Sequence, residues 1–394
     1  MRARGRRTAR VTAAVTTVLA SALVLSGCLP EGTPPTPRPE IVTPPPDALA
    51  DYLAGEPYLR GVNIYSFVLA GAGADAATLG EPASSYAFLA GRGITSVRLA
   101  VPWQRLQVIP DGGTAADGLA QPVDQDALAA VVREVRTAWE AGVRTVVDLH
   151  NGCTYPWGAG PYVEGSLACG AGIDEGHVRT IWGALAGALR DEPGVAAFDV
   201  FNEPRWSVGV DTYRHYAQVA VDAIRETGAV QPVWVEGILS EERGRLAAIA
   251  PDGPWIVDPL GRVVYSEHFY ADSDGAVYGD VEDPERVLTQ LGTFGDWCTT
   301  WQVHCAVGEV GWPSGGEGGV QSAADAAAWN ALFTRFYDIA DEDGLDVMYF
   351  GATSTRTVGT LLAYVSSAPG LPSSTGIDTA LSQAAVIEAH LPPR

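Results

Sequence analysis

The 394-residue chain carries 25 basic residues, every one an arginine, against 47 acidic ones, giving a formal charge of −22. Such a surface repels nucleic acid and anionic lipid headgroups, which leaves neutral or cationic partners. With 47% hydrophobic residues, 45 glycines and 11 tryptophans, the chain has the apolar mass for a large packed core and more aromatic surface than a plain scaffold needs.

Residues 1–27 read as an export signal. Five arginines in MRARGRRTAR precede the apolar run VTAAVTTVLASALVL, and LSGC follows, ending at Cys28. The segment resembles a bacterial lipoprotein signal peptide. That resemblance implies cleavage before Cys28 and a diacylglyceryl thioether on its sulfur, two acyl chains being enough for stable anchoring. An ordinary secretory signal is the alternative. Loss of residues 1–27 removes five arginines and no acid, taking the charge from −22 to −27. The proline-dense stretch that follows, LPEGTPPTPRPEIVTPPPD, cannot pack and makes residues 28–55 an extended spacer. The expectation is a monomer on the outer face of the cell membrane, touching lipid through its anchor alone, with residues 56–394 as the folded domain.

From residue 56 onward two textures alternate. Eight short runs rich in Val, Ile and Leu read as strands: 59–65, 94–101, 143–150, 195–202, 231–237, 262–268, 303–309 and 346–352. Between them lie alanine-rich stretches with helical spacing, three opening on Asp124, Asp174 and Asp211 and a fourth on Ser322, all suited to N-caps. Eight β-then-α units predict an α/β fold, the (β/α)₈ TIM barrel. A doubly wound open sheet is the competing topology, and the first strand lacks the G-x-G-x-x-G turn such a sheet uses to bind phosphate.

Four cysteines remain after Cys28: Cys153, Cys169, Cys298 and Cys305. In an exported protein they predict two disulfides. Three connectivities are possible, and the pairing Cys153–Cys169 with Cys298–Cys305 closes the shortest loops. Zinc is disfavoured, because there is no C-x-x-C and the six histidines are scattered.

Active sites of this fold lie at the C-terminal ends of the strands, where the chain places its unusual polar residues. Arg98 lies near the end of strand 2, His150 and Asn151 at strand 3, Asn202 and Glu203 at strand 4, His268 and Tyr270 at strand 6, and Glu309 at strand 7. The segments DLHNG, FNEP, EHFY and GEVGW, in that order, resemble glycoside hydrolase family 5, from about residue 56 to the C-terminus. The resemblance implies that Glu203 is the general acid/base and Glu309 the nucleophile. Asn202 would bond the substrate 2-hydroxyl, Arg98 and Tyr270 would hold Glu309, and His150, Asn151 and His268 would line the subsite at the scissile bond. The family usually ends strand 8 in tryptophan, whereas this chain offers Tyr349 and Phe350.

Retention of configuration requires one carboxyl to protonate the leaving oxygen while a second, about 5–5.5 Å away, attacks the anomeric carbon. Glu309 must be ionised to attack, which Arg98 and a tyrosine hydroxyl favour, whereas Glu203 must hold its proton near neutrality. Trp157, Trp206 and Trp312 follow strand ends, where an indole can stack on a pyranose. Trp139, Trp182 and Trp329 fall within predicted helices and are expected to pack; Asp148 and Asp199 are expected inside the barrel. The acidic loop 271–285 departs from a calcium-loop spacing, the chain has neither G-x-S-x-G nor a P-loop lysine, and neither metal nor cofactor is required. The expected activity is endo-type hydrolysis of a β-linked polysaccharide, cellulose-like, β-glucan or β-mannan. The rival is a carbohydrate-binding lipoprotein with a degenerate site.

Overall fold

The computed structural model describes residues 48–70, 74–156, 165–238, 242–271, 277–313, 321–356 and 361–393. The signal segment, Cys28, the proline-rich stretch, Trp157 and part of the acidic loop lie outside the described residues. Eight strands form the barrel: β1 (Arg60–Ile64), β2 (Ser96–Val101), β3 (Arg144–Leu149), β4 (Val195–Asp199), β5 (Val233–Glu236), β6 (Val263–Tyr270), β7 (His304–Gly311) and β8 (Asp346–Ala352). Each pairs in parallel with the next, and β8 pairs back onto β1, with Arg60 opposite Val347. The fold is the (β/α)₈ barrel that the alternation predicts.

Helices cover the outside. They include α1 (Ala50–Leu53), ahead of β1, then α2 (Ala83–Gly91), α3 (Gln125–Glu140), α4 (Glu175–Leu189), α5 (Val210–Glu226), α6 (Leu246–Ile249), α7 (Arg286–Trp301) and α8 (Ala323–Glu342). Asp124, Asp174 and Ser322 cap α3, α4 and α8 by accepting from backbone N–H groups of the first turn. The fourth expected cap is displaced: α5 starts at Val210 behind Gly209, whose φ of 85° breaks the preceding turn, and Asp211 sits inside the first turn.

Two apolar layers follow from this geometry. Strand residues facing outward, such as Val147 and Phe198, pack under helix residues such as Trp182 and Phe333. Residues facing inward, among them Val146, Ala197, Trp234 and Met348, fill the lower barrel. Full burial of a large aliphatic or aromatic side chain contributes about 1.5–3 kcal/mol, so these layers dominate stability. Tyr52 of α1 closes the barrel from below: its hydroxyl donates to Asp346 Oδ2 at 2.5 Å and accepts from Trp234 Nε1 at 3.2 Å. Packed structure therefore begins before residue 56.

Both local disulfides are present. Cys153–Cys169 closes the loop after β3, and Cys298–Cys305 ties α7 to β7. Trp182 and Trp329 are fully buried as expected, but Trp139 is 43% exposed, because the end of α3 overhangs the barrel's lower rim.

Candidate active site

The site forms where β2, β4, β6 and β7 end, around the fully buried guanidinium of Arg98. Its Nη1 donates to Glu309 Oε1 at 2.9 Å and Asn63 Oδ1 at 3.0 Å, Nη2 to Asn202 Oδ1 at 2.9 Å and Glu236 Oε1 at 3.0 Å, and Nε to Asp199 Oδ2 at 2.9 Å. Asp148 Oδ2 lies 3.2 Å from Nη2. One cation thus links five strands. Those carboxylates outweigh burial and hold the guanidinium well above its usual pKa. Burial raises Asp148 well above the usual range and Asp199 to about 6, despite Arg98 beside both. The two acids lie inside the barrel, as expected.

Glu309 sits where β7 shifts register against β6 between Val307 and Glu309, an irregularity of the kind that re-aims side chains. Tyr65 donates to Oε1 at 2.7 Å, and Tyr270 donates to Oε2. Two hydroxyls and an arginine therefore surround this carboxylate.

Glu203 lies four residues beyond the last ladder residue of β4. Its φ of 48° is left-handed, a backbone state that costs a non-glycine residue energy and recurs at functional sites. Its N–H donates to Glu236 Oε2 at 2.7 Å. The loop after β3 presses on it so closely that a Cβ on Gly152 would come within 2.4 Å of the Glu203 carbonyl oxygen. His268 Nδ1 stands 3.1 Å from Glu203 Oε1 and 3.8 Å from Glu309 Oε2, and Nε2 is 2.9 Å from Glu236 Oε1. Burial opposes charge on His268, but Glu236, Glu309 and the bond to Glu203 prevail and raise its pKa well above 6.5. Burial likewise raises Glu203, yet its hydrogen bond to His268 and that residue's charge win and hold it below 4.5. These directions run opposite to the expectation that Glu203 holds its proton near neutrality.

Several sequence-predicted residues stand elsewhere than expected. Asn151 is fully buried and braces the loop after β3, accepting from Trp103 N at 2.5 Å and donating to Thr154 O at 2.8 Å. Trp312 is also fully buried. Its indole stacks on Phe333 at 4.4 Å and donates to Asn330 Oδ1 at 2.7 Å, because the residue after β7 turns into the layer beneath α8. Trp206 remains half-buried on a short 3₁₀ turn, one face 4.3 Å from the Arg243 guanidinium. His150 is nearly buried, its Nδ1 2.6 Å from Asp148 Oδ2 and its ring edge-on to Tyr65; burial lowers it to about 4, so it is neutral.

Three members of the site escaped sequence reasoning: Asn63, Tyr65 and Glu236. Tyr65 and Glu236 were visible only as polar residues at the ends of β1 and β5. Phe350 on β8 is half-exposed, with its ring 4.7 Å from Tyr65 and 5.7 Å from Tyr270, the two hydroxyl donors to Glu309.

One carboxylate oxygen of Glu203, one of Glu309 and a nitrogen of His268 all lie within 4.8 Å of one another. This is the one such cluster of three possible cation ligands among the described residues.

Residues 62–355 match the family model described as Cellulase (glycosyl hydrolase family 5). The chain is 29% identical over 264 residues to the manganese dependent endoglucanase Eg5A of Phanerodontia chrysosporium, covering 64% of this chain and 61% of that protein. It is 26% identical over 193 residues to endo-beta-1,4-glucanase B of Aspergillus niger, covering 49% of this chain and 52% of that one. The chain thus spans between about half and three-fifths of these relatives' lengths. Among solved structures, Pseudomonas stutzeri endoglucanase Cel5A in complex with cellobiose superposes with a TM-score of 0.61 at 22% identity, over 84% of this chain and 92% of that chain.

Proposed function

The chain belongs to glycosyl hydrolase family 5, and from that premise we propose that it cleaves internal β-1,4-glucosidic bonds by double displacement, with Glu309 as nucleophile and Glu203 as general acid/base. The observation that carries this reading is the spacing: facing oxygens of the two carboxyls lie within 4.8 Å, where an inverting pair would stand about 6.5–9.5 Å apart to admit a water. The names of the relatives favour glucan over mannan.

In the first step Glu309 attacks the anomeric carbon, and the departing oxygen takes a proton from the His268–Glu203 pair through Glu203. As charge leaves Glu309, the hydroxyls of Tyr65 and Tyr270 and the Arg98 guanidinium remain to stabilise it when the ester later breaks. In the second step Glu203, now ionised, draws a proton from water, which attacks the same carbon. Asn202, which accepts from Arg98 Nη2, would bond the 2-hydroxyl of the reacting sugar.

Manganese dependence belongs to the named relative. In this chain a divalent ion chelated by Glu203, His268 and Glu309 would occupy the reacting groups, so added manganese should inhibit competitively with substrate.

The test uses variants on an aryl cello-oligosaccharide with a good leaving group. Glu309→Ala should abolish turnover while oligosaccharide binding persists. Glu203→Ala should give a burst and then stall, and azide should restore turnover as a β-glycosyl azide. A wild type that binds β-glucans tightly but hydrolyses none would make the chain a binding protein with a degenerate site.

The location is part of the same proposal: residues 1–27 are removed, Cys28 is lipidated, and residues 28 to about 48 tether the barrel. The described chain begins with α1, at the face opposite the cleft. A Cys28→Ser variant that still partitions with membranes would refute the anchor.

A further inference from the structure

We propose a second glycan-binding surface on the lower, N-terminal face of the barrel, built on Trp139 and Arg144. Trp139 is the penultimate residue of α3, and its 43% exposure is unusual for a large aromatic side chain on a helix that packs against a barrel. Its indole makes no hydrogen bond, ring contact or cation contact among the described residues. The lead-in to β4 lies directly beneath it: a Cβ on Gly194 would come within 2.9 Å of Trp139 Cβ. Trp139 therefore packs its Cβ against the lead-in to β4 and stays partly exposed.

Beside it runs a groove of about 370 Å³, bordered by Arg144, Arg190, Glu192, Gln231 and Arg262, a size within the range of small-ligand sites. Arg144, the first residue of β3, donates only to the Asp51 carbonyl oxygen at 3.2 Å among the described residues and has no carboxylate partner. Its remaining N–H groups are left to a ligand. Val230, 53% exposed, extends the apolar border.

Charge identifies the class of ligand. Arg262 pairs with Asp51 and Arg190 with Asp191, while Glu192 pairs with Arg136 outside the groove, so among the described residues Arg144 stands without a carboxylate on a chain of formal charge −22. That net charge opposes an anion, and a cation would meet Arg144. A neutral polyhydroxylated ring suits both features, its C–H face against the indole and its hydroxyls toward unused donors. The choice of β-glucan as that ligand rests on the hydrolase reading; the surface itself rests on Trp139 and Arg144. Because it lies opposite the cleft, it would hold one chain of a polymer while the cleft acts on another, raising retention without a new contact at the cleft.

The experiment is affinity electrophoresis of the full chain through gels containing hydroxyethyl cellulose, with release of nitrophenol from a short aryl cello-oligosaccharide reporting on the cleft alone. Trp139→Ala should weaken retention roughly five- to tenfold and leave the short-substrate rate within about twofold, and Arg144→Ala should weaken retention in the same sense. Retardation of Trp139→Ala equal to that of wild type would overturn the proposal, as would a wild type that is not retarded. A wild type retarded through Trp139 that releases no nitrophenol would uphold the groove and overturn the hydrolase reading.

Discussion

His268 Nδ1 lies 3.1 Å from Glu203 Oε1, with Glu236 Oε1 2.9 Å behind the ring at Nε2. The histidine is cationic because three carboxylates face it, and the same charge holds Glu203 below its usual pKa. Under the proposed mechanism, the resting proton is held by His268 and reaches the leaving oxygen through Glu203. The alkaline limb of kcat/KM should follow the raised histidine. In His268→Asn the proton must reside on Glu203 itself, so that limb should move to lower pH. A variant that loses rate with an unshifted profile would mean that His268 only positions Glu203.

A second titration concerns stability. Glu134 on α3 is buried against α2, accepting from Glu81 N at 2.8 Å and Tyr86 Oη at 2.5 Å, and burial raises its pKa from 4.5 to about 8. For an acid raised in the folded state, the stabilising contribution is complete below about pH 4.5 and is lost as pH climbs through about 8. Glu134→Gln keeps the shape without the charge. Wild type should therefore lose a few kcal/mol more stability than Glu134→Gln between pH 5 and pH 9. Denaturant midpoints across that range decide it, and parallel curves would exclude the mechanism.

The barrel was legible because each strand is a β-branched run and each gap carries helical spacing, signals that survive in a single sequence. The two glutamates were legible because they end strands in short motifs. What could not be read was direction. Trp312 and Trp206 both follow strand ends, yet one turns into the layer beneath α8 and the other stays half-exposed under an arginine, a difference set by neighbours distant in sequence. Glu236 looked like any acid closing a strand until Arg98, His268 and the Glu203 N–H converged on it. Trp139 has helical spacing on both sides, and only the overhang of α3 exposes it.

The two disulfides should differ in worth. Cys153–Cys169 spans 16 positions and Cys298–Cys305 spans 7, and chain-entropy reasoning gives roughly 3 kcal/mol for the first and about 0.7 kcal/mol less for the second. The first also holds the loop whose Gly152 presses on Glu203. Serine replacement of Cys153 and Cys169 together should lower both the denaturation midpoint and kcat, whereas replacing Cys298 and Cys305 should lower stability with kcat nearly intact. Equal loss of kcat in both pairs would break the link between the first disulfide and Glu203.

Phe350, one of the two aromatic residues near the end of β8, touches both tyrosines that bond Glu309. A phenyl ring there can still offer a face to the reacting sugar, over less area than an indole. Its removal should act twice, by deleting that face and by releasing Tyr65 and Tyr270 from their shared support. Phe350→Ala should therefore lower kcat as well as raise KM on the short aryl substrate, with kcat/KM falling roughly 10- to 100-fold, about 1.4–2.8 kcal/mol. Phe350→Trp should keep kcat and lower KM if the position is a sugar platform. If Phe350→Ala changes KM alone, the ring binds sugar without supporting the tyrosines. If neither variant changes either constant, the floor of the subsite lies elsewhere.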